Sequence, residues 1–282
     1  MARIAVVGHV EHVTIGTVPE LPGRGEIAHL EAARVFPGGG GGVTFYQLLR
    51  GPHEMLLYTA IGDDDAGRFV AGALAATGAR IFAAARAQAH TRDVVLITPD
   101  GQRTIIVVGE PLHPRRTDPL PWDELATCDA AYFTAQDPAA LVAARAARVL
   151  VVTARRREAL IRSGVRADVV VGSLGDPREA STLADYPIAP AALVMTDGAR
   201  GGQVETAAGA VRFAASPPPP IRGSYGAGDS FAGALVYHLA TGLAPLAAAG
   251  QAARFGAAVL ASLVPLDAQL PLAGAAGARS GA

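Results

Sequence analysis

From residue 130 onward, continuous apolar runs alternate with stretches of helical period. Runs at 130–134, 149–153, 169–171 and 193–196 read as strands, and helices are predicted between them at 138–147 and 155–163. A strand that is apolar throughout, rather than at every second position, is covered on both faces. The pattern therefore predicts a mostly parallel sheet between two layers of helices, a three-layer α/β sandwich. Upstream, 3–10 and 55–60 predict further strands and 42–49 and 67–77 helices, while helices at 230–241 and 246–263 close the chain.

Two segments break the alternation. Residues 13–36 are short extended pieces interrupted by Gly and Pro. Apolar runs at 93–98 and 103–108 flank Pro99-Asp100-Gly101, which predicts a hairpin. Together they predict a small β-sheet lid, inserted at about 11–36 and 88–112 into one domain spanning 1–282. No internal repeat or long linker marks a second domain.

Composition narrows the class. Of 282 residues, 50% are hydrophobic and 17% charged, which fits a globular enzyme with a sizeable core. A net charge of −1 argues against nucleic acid as a partner. Every basic residue other than His is Arg, so phosphate contacts fall to Arg, His or backbone amides, and a Walker-type loop with its Lys is excluded. Cys128, the sole cysteine, cannot form an internal disulfide and is expected to be a core thiol; Trp122 is expected to pack. The apolar stretch at 2–10 is too short to span a membrane and does not read as a signal peptide, so a cytoplasmic location is expected. The small, polar tail at 273–282 is expected to fray.

The densest chemistry lies in Gly223-Ser-Tyr-Gly226-Ala-Gly228-Asp229-Ser-Phe. Gly226 and Gly228 permit a turn that side chains would block, Asp229 stands where a helix should begin, and an apolar run follows. Such a helix start offers unpaired amides and partial positive charge, and so binds anions. A carboxylate in an anion site has a use as general base for a hydroxyl attacking a phosphoryl group. The alternative is an Asp that merely caps the helix.

Other candidates lie upstream. Five consecutive glycines, Gly38 to Gly42, mark a strand-to-helix transition where backbone can approach a ligand closely; the alternative is a flexible connector. Gly8-His9-Val10-Glu11-His12-Val13 follows the first strand, and Glu11 is its carboxylate. His9 and His12 fit structural roles better than a metal site, because no zinc spacing accompanies them. Asp176-Pro-Arg-Glu179 is an acidic pair suited to a hard cation, or else an acidic helix start. Thr196-Asp-Gly198-Ala-Arg200-Gly201 follows the last core strand, and Gln136 follows the strand at 130–134.

In this order the landmarks resemble the ribokinase-like (PfkB) carbohydrate kinases over nearly the whole chain. The resemblance rests on Gly38 to Gly42, Ala60-Ile-Gly-Asp-Asp-Asp-Ala-Gly67, Val194 to Gly201 and Gly226-Ala-Gly-Asp229-Ser-Phe. It implies Asp229 as catalytic base, with Gly226, Ala227 and Gly228 forming the anion hole. It also implies acceptor contacts from a glycine pair, whose place falls within Gly38, Gly39 and Gly40, and from a nearby Asn whose place falls on Val43 or Thr44. Thr196, Gly198, Arg200, Gly201 and Ser224 would line the nucleotide, and Asp176 and Glu179 would hold magnesium through water. ATP and Mg2+ are the implied cofactors. Departures cluster at the acceptor: the family's early Asp falls on Val13, leaving Glu11 as the nearest carboxylate, with Gln136 a further candidate. Gly223 replaces an Asp that commonly helps bind a monovalent cation, so little potassium dependence is expected.

The expected activity is ATP-dependent phosphorylation of an alcohol on a sugar, nucleoside or related polyol. Alternatives are a vitamin-precursor kinase of the same superfamily, whose lid is reduced, and a non-catalytic sugar or nucleotide sensor. The expected partners are ATP and a small acceptor, without nucleic acid or membrane, and a homodimer paired through the lid.

Overall fold

A computed structural model describes residues 2–272; the expectation for the tail at 273–282 lies outside these residues. The central sheet has nine strands in the order β13-β12-β11-β10-β9-β8-β1-β4-β5. These are β1 (Arg3–Val7), β4 (Glu54–Gly62), β5 (Arg80–Arg86), β8 (Ala130–Phe133), β9 (Val149–Thr153), β10 (Val169–Ser173), β11 (Ala192–Thr196), β12 (Gly202–Thr206) and β13 (Gly209–Phe213). Neighbours from β5 through to β11 pair in parallel, and β12 and β13 add an antiparallel edge.

Alternate residues of each strand feed two separate cores, as apolar-throughout strands must. Ile4, Val6, Val151, Val169 and Val194 pack against helices α1 (Gly39–Leu48), α2 (Asp65–Ala75), α5 (Ala227–Ala240) and α6 (Pro245–Ala258). Ala5, Val7, Val152, Val170 and Leu193 pack against α3 (Pro138–Ala144), α4 (Arg157–Ser163) and the 3-10 turn carrying Trp122 and Leu125. Burying such side chains contributes about 1.5–3 kcal/mol each, which makes this double core the main source of stability. Trp122 and Cys128 lie inside it, and Trp122 stacks on Tyr58 at 5.3 Å.

The four strands β2 (Glu11–Thr17), β3 (Glu31–Gly38), β6 (Arg92–Ile97) and β7 (Arg103–Val108) form a second sheet in the order β3-β2-β6-β7. Its inner face supplies Val13, Ile15, Phe36, Val95 and Ile97 to a small core shared with Val43, Tyr225 and Val264. Because β2 leaves the C-terminal end of β1 directly, this sheet stands over the carboxyl ends of the parallel strands, where open α/β sheets bind ligands.

Several predicted boundaries shift. The first strand ends at Val7, and its extension to residue 10 belongs to the turn into the second sheet. The first helix begins at Gly39, three residues earlier than predicted, inside the glycine run. Strand β5 and the β12–β13 hairpin were not legible; Arg80–Arg86 is Ala-rich, with Ile81 its one β-branched residue. The last helix breaks after Ala258 into a 3-10 turn at Val259–Ala261. Asp176 lies in a turn with no helix after it, which removes the helix-start reading of that pair.

Candidate active site

The glycine at 226 adopts φ +78°, the left-handed region, and a Cβ there would lie 2.8 Å from Pro265. That turn launches α5 at Ala227, so Asp229 is its third residue, inside the first turn rather than ahead of it. The Asp229 carboxylate accepts from its own amide and does not occupy the cap position. Gly228 is exposed, with no atom within 4 Å of where its Cβ would stand. No side chain caps this helix start, which leaves its leading amides, with the helix dipole behind them, as candidate anion donors. Thr44 Oγ1 donates to the Asp229 carbonyl at 3.1 Å and ties α5 to α1.

Burial lifts the Asp229 carboxyl to about 6; the Glu179 charge adds to the rise, while Arg103 and Arg155 oppose it. The glycines of α1 press against it: a Cβ on Gly40 would sit 3.4 Å from both Asp229 Oδ1 and Thr134 Oγ1. Gly39 has φ +75°, and a Cβ there would meet Glu11 Oε2 at 2.7 Å. The first two amides of α1 are already occupied. Gly39 N–H donates to Tyr225 Oη at 2.9 Å, and Gly40 N–H donates to His9 Nε2 at 3.3 Å. The glycine run thus contributes close approach of Glu11, Thr134 and Asp229 to α1 more than free donors.

Glu11 is buried 3.6 Å from His9 Nε2, and its carboxyl is hydrogen-bonded to that of Asp93. Burial raises both carboxyls, and their closeness lets the pair share a proton, with Glu11 as donor to Asp93. His9 meets His113 edge-on, with ring centroids 4.9 Å apart. Burial, helped by the Arg156 charge, lowers His9 to about 3, and burial with His9 beside it lowers His113 to about 2, so both stay neutral. Arg156 Nε donates to the Thr134 carbonyl at 2.9 Å.

The acidic pair is gathered by Arg155, which bonds Asp176 Oδ2 and reaches Glu179 Oε1 at 2.9 Å. Burial raises the Glu179 carboxyl; at Asp176 burial is outweighed by the Arg178 amide and Arg155, and the carboxyl stays below its usual value. Thr196 Oγ1 donates to the Gly172 carbonyl at 3.2 Å, and Gly198 opens a 3-10 turn that ends before Gly201. Arg200 is exposed and bound to Asp197 at 2.5 and 2.9 Å. Ser224 accepts from Arg103. Val43 is wholly buried in the core beneath the second sheet, and Gln136 is exposed after β8. Gly38 packs on Val13 and Tyr225.

Asp93, Arg103, His113, Arg155 and Arg156 were not singled out from the sequence. A signal existed for two of them. Arg155-Arg156-Arg157 opens a predicted helix with cations where the dipole favours acids, which asks for a reason. Asp93 heads an apolar run and reads as a strand end until the register sets it opposite Val13.

Comparison places this fold among known proteins. A putative ribokinase from Agrobacterium tumefaciens superposes with a TM-score of 0.80 at 18% identity, covering 95% of this chain and 94% of that one. Ribokinase from Thermotoga maritima gives 0.76 at 16% identity, covering 96% and 97%. Adenosine kinase from Sinorhizobium meliloti gives 0.74 at 18%, covering 94% and 97%. At these identities the likeness establishes the ribokinase-like fold. No curated protein matches the sequence significantly. The model of the pfkB family carbohydrate kinases matches residues 1–264, nearly the whole fold described above, and the chain accordingly belongs to that family of ATP-using phosphotransferases with an alcohol as acceptor.

Proposed function

We propose that this kinase phosphorylates a hydroxyl of a sugar, nucleoside or related polyol with Asp229 as the general base. The observation that carries the reading is a carboxyl raised to about 6 in the first turn of a helix whose start is capped by no side chain and whose Gly228 is exposed. A base poised near neutral pH takes the acceptor proton as the oxygen attacks the γ-phosphoryl group. Amides of Ala227 and Gly228, joined by that of Asp229 once it leaves its own carboxylate, then hold the charge developing on the transferred oxygens. The acceptor sits beside Asp229, where Gly39 and Gly40 let Glu11 and Asp229 approach α1 closely, and Glu11 lies at its edge. The turn from Thr196 to Gly201, with Ser224 opposite, lies along the nucleotide, and Arg200 must leave Asp197 to reach a phosphate.

Among the described residues, no group of three or more His, Cys, Asp or Glu side chains could hold a metal ion alone. Two carboxylates, Asp176 and Glu179, nevertheless suit Mg2+ held chiefly by phosphates and water. When bound, Mg2+ neutralises phosphate charge; the chain's part is to orient its water shell through this pair.

The second sheet acts as a lid that excludes water from the transfer. Its edge strand β7 leaves Ile105, Ile106, Val107 and Val108 39–51% exposed, which supports pairing with a second copy through this edge. Among the described residues, no helix is long and apolar enough to cross a membrane.

The test is ADP formation from ATP and magnesium across pentoses, hexoses, sugar acids, sugar phosphates and nucleosides. Turnover with one acceptor class, and a Tm raised by ATP with magnesium, are expected. A folded protein that shows neither with any acceptor sinks the reading.

A further inference from the structure

We propose that Glu11 and Asp93 form a specificity wall in the acceptor pocket that selects an uncharged or amino-bearing polyol over sugar acids and sugar phosphates. This rests on the kinase reading above and adds what the site accepts. Asp93 is not in the signature; it comes from β6 of the second sheet, where the register sets it opposite Val13 of β2. It is 3% exposed, and its Oδ1 has no partner in the protein. His113, 7% exposed, has both ring nitrogens without a partner. A buried polar atom left unpaired costs about 1–3 kcal/mol, so the Asp93 oxygen calls for a ligand donor, and the neutral His113 ring for one donor and one acceptor, as a hydroxyl supplies.

The wall adjoins the reacting centre. Glu11 lies against Gly39, Asp229 lies against Gly40 of the same helical turn, and the Asp229 charge acts on Glu11. Neighbouring cations are largely committed elsewhere. Arg92 pairs with Asp64 at 2.7 Å, Arg103 with Ser224, and Arg155 with Asp176 and Glu179. Arg156 is the exception: its charge acts on Glu11, and its Nε–H alone is given away, to the Thr134 carbonyl. His9 and His113 are neutral and offer ring nitrogens rather than charge. Even with one proton shared between them, Glu11 and Asp93 present a carboxylate beside that of Asp229. An acceptor carboxylate or phosphate here meets like charge at short range, whereas hydroxyl or ammonium donors satisfy the orphaned Asp93 oxygen.

The experiment measures kcat/KM for ribose, adenosine, glucosamine, gluconate and fructose 6-phosphate in wild type, Asp93→Asn and Asp93→Val. Binding of each is measured by calorimetry with a non-hydrolysable ATP analogue present. Wild type should favour the best uncharged or amino acceptor over both anions by about 10²-fold or more. Each Asp93 variant should raise KM for that acceptor about tenfold, by a larger factor than kcat falls, and narrow the discrimination at least tenfold. Asp93→Val, which matches Val94 and Val95 beside it, should fold at least as stably as wild type, because it removes a buried carboxyl. A merely structural Asp93 would instead lower Tm and leave selectivity alone. Preference for gluconate or fructose 6-phosphate, or unchanged discrimination in both variants, overturns the proposal. So does the absence of selective binding. Selective binding without ADP formation counts against the kinase mechanism alone and supports the wall.

Discussion

Arg103 donates to both the carbonyl and the hydroxyl of Ser224, at 3.3 and 3.4 Å, joining strand β7 to the turn that leads into α5. The same guanidinium holds down the Asp229 carboxyl against the rise caused by burial and Glu179. One exposed side chain therefore couples the second sheet to the candidate base.

Arg103→Gln removes that coupling and its charge. The ionised form of Asp229 loses a favourable neighbour, so its pKa moves above about 6. Since the base must be ionised to accept a proton, the acid limb of the kcat/KM profile should shift to higher pH. Measurement of that profile from pH 5 to 8 checks it; an unmoved or lowered limb contradicts the assignment.

Asp229→Asn keeps size and removes basicity. Turnover should fall about 10²–10⁴-fold, while nucleotide affinity by calorimetry persists or tightens slightly. Stability carries a second signature. The folded carboxyl titrates near 6 against an ordinary 3.8, so its stabilising contribution is full below about 4 and is lost as pH rises through about 6. Wild type should therefore gain stability from pH 7 to 5 relative to the Asn variant. Urea melts of both proteins at the two pH values test this.

Asp176→Ala with Glu179→Ala should raise the magnesium concentration needed for half-maximal turnover while leaving acceptor binding largely intact. Arg155 loses both of its carboxylate partners, so nucleotide affinity without magnesium serves as the control. Wild-type magnesium dependence in the double variant would reduce the pair to an anchor for Arg155.

Gly226→Ala places a Cβ at φ +78° and 2.8 Å from Pro265. The left-handed conformation alone costs about 1–2 kcal/mol for an L side chain. Thermal melting should show a loss of that order or more, and turnover should fall because the first amides of α5 shift. An unchanged Tm would mean that the turn relaxes freely.

Apolar runs and their lengths were enough to read the parallel core, because a strand buried on both faces leaves no polar alternation to disguise it: Val149–Thr153 and Ala192–Thr196 stand where their composition put them. The turn before α5 was legible for a similar reason, since Gly226 and Asp229 are local chemistry that neighbours in the chain specify. Asp93 is the opposite case. It lies 82 positions from Glu11 in the chain, and only the parallel pairing of β2 with β6 brings their carboxyls together. Arg155 was likewise hidden, because its partners Asp176 and Glu179 leave a different strand of the sheet. Charge and pKa depend on distance through space and on exclusion of water, which sequence spacing does not carry. The candidate base and its turn belong to the sequence; the proposed acidic wall beside it belongs to the tertiary fold, because only strand register decides which buried carboxyls meet.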